Sequence, residues 1–110
     1  MYNPYDWDIE KKFDFSYDSI AVHPYESYEE HFERFTKEKA RWTAYKRAAK
    51  IGIELAQMNL NDSIAIELES DDFLETVEHD IMVLKRKFEE YNFICDILKR
   101  IDENFSNIVP

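Results

Sequence analysis

A regular spacing of apolar residues in the C-terminal third constrains the fold of this chain more than any other feature. From Leu74 to Phe105, large apolar residues recur alternately three and four positions apart, which is the heptad spacing of a helix that packs against another helix. This heptad seam comprises Leu74, Val77, Ile81, Leu84, Phe88, Tyr91, Cys95, Leu98 and Phe105, with Asp102 as its one break. Ile94 and Ile101 widen the apolar stripe on one side. We therefore predict a helix over 71–105.

A second long helix is predicted over 27–60. Ser27 and Glu30 have the spacing of an N-terminal capping box, and the residues 59–61 favour a helix end because Asn prefers turns to helix interiors. The apolar stripe of this helix comprises Tyr28, Phe32, Phe35, Trp42, Tyr45, Ala49, Ala56 and Leu60. Small residues surround Gly52, which predicts that bulky side chains of the C-terminal helix approach closely there. A bend at this glycine is the alternative.

Two short segments alternate apolar and polar residues with a period of two, which is the pattern of half-buried strands. They are 13–18 and 64–69. The second segment also fits one or two turns of helix, because Ile64 and Leu68 lie four positions apart. A small two-stranded β element formed by the two segments is therefore left open.

The predicted architecture is mainly α and consists of a single domain over 1–110, because a chain of this length builds one core. Two long antiparallel helices, 27–60 and 71–105, form a hairpin around a connector at 61–70. The N-terminal segment 1–26 is too rich in aromatic residues to be a solvated tail, so we expect it to pack on the hairpin. A second copy of the chain is the other candidate for covering the apolar flanks of the hairpin.

Charge and composition exclude several classes of function. The chain has 24 acidic and 14 basic residues and a formal net charge of −10, so it would repel nucleic acid and we expect no direct contact with DNA or RNA. A single glycine excludes glycine-rich phosphate-binding loops. No stretch approaches the roughly 18 apolar residues of a membrane span, and a single cysteine, Cys95, is typical of a reducing compartment. We therefore predict a cytoplasmic protein that binds no membrane.

The residues that most often bind metals or act as nucleophiles are not arranged in a spacing that favours either role. The candidate ligands are His23, His31, His79 and Cys95, and none of them forms a pair with the spacing of a zinc or di-iron site. Cys95 lies on the heptad seam, where the role of a small buried apolar residue is expected of it. We predict no metal, no cofactor and no enzymatic activity.

Acidic residues are concentrated near the predicted turn of the hairpin, where 61–73 contain five acids and no base. If 13–18 and 64–69 are strands with their apolar side chains inward, their carboxylates face solvent and further acids flank them. The predicted partner-binding residues are Asp14, Asp18, Asp62, Glu67, Glu69, Asp71 and Asp72. Such an array is suited to a basic groove that normally holds phosphates. A solvated face that keeps the chain soluble is the alternative.

A band of basic residues on the first long helix has a simpler interpretation. It comprises Lys37, Lys39, Arg41, Lys46, Arg47 and Lys50. With the turn of the hairpin near 61–69, residues 37–50 are predicted to lie beside 80–93 and to form surface ion pairs there. The acids available in that stretch are Asp80, Glu89 and Glu90.

Two classes of function remain open. The first is a small acidic protein-binding module that inhibits or regulates a nucleic-acid-binding protein with a basic surface, by mimicking nucleic acid with its carboxylates. Phage-encoded inhibitors such as anti-CRISPR and anti-restriction proteins are the analogy, in size and charge only, and no motif links the chain to them. The alternative is a coiled-coil homo-oligomeric structural or assembly protein, in which the heptad seam packs against a second copy.

Overall fold

The computed structural model describes residues 8–66 and 73–108. Its elements are a short helix α1 (Ile9–Lys12), a 3-10 helix (Tyr17–Ile20), and two long helices, α2 (Tyr28–Ile66) and α3 (Phe73–Ile108). The two long helices pack against each other as a hairpin, and the aromatic N-terminal segment precedes them. The predicted mainly α hairpin is therefore confirmed.

The start of α2 lies where the capping residues predict it. The backbone N–H of Glu30 donates to the hydroxyl oxygen of Ser27 at 3.2 Å, which satisfies one of the unpaired donors at the helix N-terminus. The predicted end at 59–61 is wrong, because α2 continues to Ile66. The connector predicted at 61–70 is therefore helical over its first six residues.

A tertiary contact accounts for the extra length of α2. The hydroxyl of Ser63 donates to the carboxylate of Asp80 on α3 at 2.5 Å, so the last turns of α2 are held against the other helix. Tertiary contacts of this kind override the weak local preference of Asn and Asp for turns.

The strand predicted at 13–18 is wrong. Asp14 has a φ of 50°, in the left-handed region that Asp tolerates better than most residues. The N–H of Phe15 donates to the carbonyl of Glu10 at 2.9 Å, and the N–H of Asp14 donates to that of Lys11 at 3.2 Å. These two bonds form a Schellman motif at the end of α1, and the 3-10 helix follows from Tyr17.

The second predicted strand, 64–69, is helical over 64–66, and its remainder lies outside the described residues. No strand occurs within 8–66 or 73–108, so the described residues contain no two-stranded β element. Residues 64–66 form the last turn of α2 instead. This agrees with the alternative interpretation of the segment as one or two turns of helix.

Contacts within the chain group into two compact units. The terminal unit consists of Met1–Thr43 and Asp96–Pro110, and the middle unit of Ala44–Cys95. The prediction of one domain over the whole chain stays a prediction.

The core of the terminal unit is formed by aromatic and branched side chains. Trp42 is fully buried and contacts two N-terminal rings, Phe13 in a tilted arrangement at a centroid distance of 5.8 Å and Phe15 in an edge-to-face arrangement at 5.6 Å. Phe35 is also fully buried and lies 5.2 Å from the ring of Phe105. Phe13 and Phe15 of the N-terminal segment thus pack on α2, as predicted, whereas Tyr25 of the same segment is 81% exposed.

The face that α3 buries most deeply lies beside its heptad seam. The most deeply buried positions of this helix are Ile94, Ile97 and Ile101, whereas Ile81 and Phe88 of the seam are exposed and the other seam residues whose burial is described are partly buried. Each of the three isoleucines precedes a heptad position by one residue, the position of the break at Asp102 in the case of Ile101, which corresponds to a rotation of about 100° around the helix axis. The two residues predicted only to widen the stripe therefore form its centre.

The lateral pairing of the long helices differs from the predicted one. Lys39 lies 2.9 Å from Asp102, and Asp80 contacts Ser63, so the predicted alignment of 37–50 with 80–93 is wrong. The physical reason is the greater length of α2, which ends at Ile66 and displaces the pairing toward the C-terminal end of α3.

Gly52 provides a first testable prediction. A Cβ atom added at Gly52 would lie 3.5 Å from Cδ of Lys87, which is an ordinary van der Waals distance, so a lysine stem covers this site where bulky side chains were expected. We expect Gly52→Ala to raise the free energy of unfolding by about 1 kcal/mol, because alanine has the higher helix propensity and fewer unfolded conformations. Urea unfolding checks this, and a lower midpoint at unchanged slope would contradict it.

Candidate interaction surfaces

The outer face of α2 in the middle unit carries exposed apolar residues at helical spacing. Ile51, Leu55 and Met58 are exposed by 56%, 55% and 58%, and their spacing of four and three positions places them on one face. The same spacing continues in both directions through exposed residues. We call this set the outer stripe; its members are Ala44, Ala48, Ile51, Leu55, Met58, Asp62 and Ala65.

The outer stripe points away from the buried face of α2. Ala49 and Ala56 are the buried residues of α2 in this unit, and Ile51 and Met58 each follow one of them by two positions. Two positions correspond to about 200° around a helix. The outer stripe is therefore a second apolar face rather than the edge of the first.

A second exposed apolar pair lies on α3. Ile81 and Phe88 are exposed by 51% and 46%, and they lie seven positions apart on the heptad seam, with exposed Lys85 between them. Soluble monomers rarely expose extended apolar patches, and such patches commonly mark interaction sites.

Charge is distributed unevenly along the outer stripe. Lys46, Arg47 and Lys50 are exposed near its N-terminal end, and no ion-pair partner of theirs is found among the described residues. Asp62 is exposed toward the other end, and it too has no ion pair within the described part of the chain. The stripe is therefore basic at one end and acidic at the other.

The predicted partner-binding carboxylates fall in different places. Asp14 and Asp18 belong to the terminal unit and Asp62 to the middle unit, and all three are exposed. The others, Glu67, Glu69, Asp71 and Asp72, lie outside the described residues. Because 13–18 is not a strand, the argument that placed Asp14 and Asp18 on one face is wrong. A single carboxylate array stays a prediction.

A cluster that the sequence analysis missed surrounds Glu26 at the N-terminal end of α2. The carboxylate Oε1 of Glu26 lies 2.6 Å from Nδ1 of His23 and 2.7 Å from Nη2 of Arg34. The Nε2 atom of His31 lies 3.7 Å from the same oxygen. His23 also contacts Asp18 through its other ring nitrogen, at 3.0 Å, so each of its nitrogens faces a carboxylate.

Arg34 connects this cluster to the main chain of the preceding segment. Its guanidinium donates to the carbonyls of Ser19 at 2.7 Å and Ala21 at 2.5 Å, and to that of Asp18 at 3.3 Å. Together with the bond to Glu26, these contacts fix the 3-10 helix and the following turn against α2. The fixed fork of donors makes Arg the residue best suited to this role.

His31 is held in one tautomer by two main-chain groups. Its Nδ1 lies 2.9 Å from the carbonyl of Ser27, which only accepts, and its Nε2 lies 2.8 Å from the N–H of His23, which only donates. His31 is therefore neutral in this arrangement and carries its proton on Nδ1. All partners of this buried ring are local, which indicates a structural role.

Glu26 gives the cluster a definite dependence on pH. The hydrogen bond from Arg34 lowers the pKa of Glu26 below its ordinary value of 4.5, the charge of Arg34 and the contact with His23 act in the same direction, and partial burial opposes them. A carboxyl with a lowered folded-state pKa stabilises the fold above its unfolded-state pKa. That stabilisation is lost as the pH falls through the folded-state pKa.

We therefore expect Glu26→Gln to destabilise the protein more at pH 7 than at pH 3, because the stabilisation by the ionised carboxylate is lost as the pH falls through its lowered folded-state pKa. Urea unfolding of both proteins at the two pH values measures this difference. The other carboxylates are common to both proteins, so their titration cancels in the comparison. A difference that is equally large at both pH values would contradict the role given to the ionised carboxylate.

Neither of the long helices has, in the residues that the structure describes, an apolar stretch long enough to cross a membrane. Within the same described ranges, no group of three His, Cys, Asp or Glu side chains is placed to hold a metal ion. What the described chain presents is a helical hairpin whose middle unit leaves an apolar outer face uncovered. No protein-family model matches the chain, and no curated protein or solved structure matches it either.

Proposed function

We propose that this protein is a homo-oligomeric assembly module that associates through the outer apolar faces of its helical hairpin. The observation that carries the proposal is the exposure of Ile51, Leu55 and Met58 on one face of α2, opposite the buried face. At about 25 cal/mol per Å² of apolar surface, covering such side chains is a strong driving force for association. Heptad spacing suits this face to a second helix.

A homo-oligomer accounts for the exposed apolar side chains on both long helices more directly than a monomer does. Ile81 and Phe88 of the heptad seam are exposed on α3 as well, so both helices of the middle unit leave large apolar side chains about half exposed. Most homo-oligomers have closed symmetry, and two-fold dimers are the commonest. We propose a reducing cytoplasm as the compartment, since Cys95 is a free thiol.

Light scattering of the purified chain from low to high micromolar concentration tests this function. The expected result is a molar mass that rises from the 13.3 kDa of one chain toward a defined multiple. A mass of one chain over the whole concentration range would overturn the proposal.

A second candidate is the acidic module that binds a basic, nucleic-acid-binding protein, in the manner of phage-encoded inhibitors. The observation that favours it is the exposure of Asp14 and Asp62 without an ion-pair partner within 8–66 and 73–108. The four further acids within 61–73 add to this charge. A carboxylate surface of this kind would associate rapidly with a basic groove.

Capture of partners from a lysate of the native host, repeated at low and high salt, tests the second candidate. A partner whose affinity falls steeply with salt supports charge mimicry, because exposed charges are screened beyond about 10 Å at 0.1 M salt. An affinity that does not depend on salt would contradict it.

A further inference from the structure

We infer that the outer stripe of α2 binds the outer stripe of a second copy of this chain in antiparallel orientation. This inference rests on the proposed function and specifies its interface. The stripe alternates spacings of four and three over Ala44–Ala65 without interruption. In the alignment described below, six of its seven positions, Ala44 to Asp62, form six layers of a two-stranded packing. Two properties indicate that a second copy of the chain covers the outer stripe: the sizes of its side chains and the charges at its two ends.

The sizes of the side chains are complementary in one antiparallel alignment. The stripe begins with Ala44 and Ala48 and continues with the larger Ile51, Leu55 and Met58. When two copies run in opposite directions, Ala48 faces Met58 of the second copy and Ile51 faces its Leu55. Each layer then pairs residues of similar or compensating volume, as well-packed interfaces require.

A parallel alignment lacks this complementarity. It would place Ala44 against Ala44 and Ala48 against Ala48, which leaves a gap at one end, and Asp62 against Asp62 at the other. Like charges in contact are unfavourable. The antiparallel alignment instead places Asp62 at the edge of the interface, opposite Ala44.

The charges favour the same alignment. Arg47 is exposed and lies between Ala44 and Ala48 in the helical turn that faces Asp62 of the second copy. Neither Arg47 nor Asp62 has an ion-pair partner among the described residues. Two-fold symmetry forms this pair twice, once at each end of the interface. Electrostatic complementarity of this kind fixes orientation more than it adds affinity.

One contact across the two-fold axis is unfavourable. The axis lies midway between Ile51 and Leu55 along the helix, so exposed Glu54 of one copy lies beside Glu54 of the other. The antiparallel alignment therefore predicts that Glu54→Gln strengthens association by a few-fold, because it removes a like-charge pair at the rim. No other antiparallel register of the stripe brings these two carboxylates together while it keeps the three large residues in apolar layers.

The first experiment compares two substitutions that add the same charge to exposed positions. We expect Leu55→Glu to weaken association by at least about 100-fold, because two buried leucines are lost from each dimer. Gln57→Glu is the matched control; Gln57 is also exposed but lies off the stripe, so its variant should associate like the wild type. Light scattering and helical content by circular dichroism are measured for each protein.

The second experiment determines the orientation by cross-linking in a Cys95→Ser background. Glu54→Cys is expected to give a covalent dimer with a short bifunctional maleimide, because the two cysteines meet near the axis. Asn61→Cys, on the same edge of the stripe, should give none, because an antiparallel pair separates its two cysteines by about 24 Å along the axis. A mixture of Arg47→Cys and Asn61→Cys should give the mixed dimer.

The outcomes separate this inference from the proposed function. A dimer that Leu55→Glu leaves intact overturns the inference but leaves self-association in place, through another face. If the Asn61→Cys variant forms a covalent dimer in the absence of Arg47→Cys, the antiparallel orientation is overturned. A wild-type chain that is monomeric at every concentration overturns both.

Discussion

Trp42→Ala is expected to lower the free energy of unfolding by about 3–5 kcal/mol, the largest single-site effect in this chain. Trp42 is fully buried in the terminal unit, and the rings of Phe13 and Phe15 contact it. Its indole N–H donates to the carboxylate of Glu38 at 3.0 Å. The substitution therefore creates a cavity, removes two aromatic contacts and leaves a partly buried carboxylate without its donor.

Chemical unfolding followed by far-UV circular dichroism measures this effect. Trp42→Phe is the control, since it keeps an aromatic ring but loses the N–H donor, and its effect should be smaller than that of the alanine variant. A loss below about 1 kcal/mol for Trp42→Ala would contradict the packing of the N-terminal segment on α2.

Arg34→Ala is expected to have the second largest effect, a loss of about 2–4 kcal/mol. The guanidinium satisfies three main-chain carbonyls between Asp18 and Ala21 and the carboxylate of Glu26. Removing it takes the guanidinium from all of these acceptors at once; the carbonyl of Asp18 keeps the N–H of Ala21 and the carboxylate of Glu26 keeps its contact with His23. It also removes the main cause of the lowered pKa of Glu26, so that pKa should rise in the variant.

The variant Arg34→Lys distinguishes the contribution of the positive charge to stability from that of the planar guanidinium. Lysine keeps the positive charge but lacks the planar fork that reaches several acceptors, so most of the stability should still be lost. NMR titration of the Glu26 carboxyl gives the pKa, and chemical unfolding gives the stability. If Arg34→Lys had the same free energy of unfolding as the wild type, the positive charge alone would account for the attachment of residues 18–26 to α2.

The hairpin and the start of α2 follow from local sequence signals. The heptad spacing of α3 and the capping serine at position 27 are visible without any knowledge of the fold, and the structure confirms both elements. Signals of this kind are reliable because helix periodicity and capping depend on residues close together in the sequence.

One error comes from a local motif and the others from contacts between distant residues. The segment 13–18 is not a strand because a helix-ending motif turns the chain at Asp14, and no glycine marks that turn in the sequence. The end of α2 depends on the bond between Ser63 and Asp80, seventeen positions apart. Which face of α3 is most deeply buried depends on its packing. The heptad seam and the neighbouring stripe with Ile94 and Ile101 are both visible in the sequence, and the sequence alone does not show which of them is buried more deeply.

The outer stripe was visible in the sequence but was not recognised. Ile51, Leu55 and Met58 have helical spacing, but they are offset from the stripe that was assigned to the core. Two apolar stripes on one helix indicate two partners, and only the structure shows which one α3 covers. The cluster around Glu26 had no comparable signal, because its members meet through a turn and not through helical spacing.

The central claim is that the outer stripe is an interface between copies of this chain, and sedimentation equilibrium of the wild type beside Leu55→Glu tests it most directly. The account predicts that, at the same micromolar concentration, the wild type has twice the mass of one chain, whereas the variant sediments as a folded chain of 13.3 kDa. Equal masses for the two proteins at every concentration would contradict it.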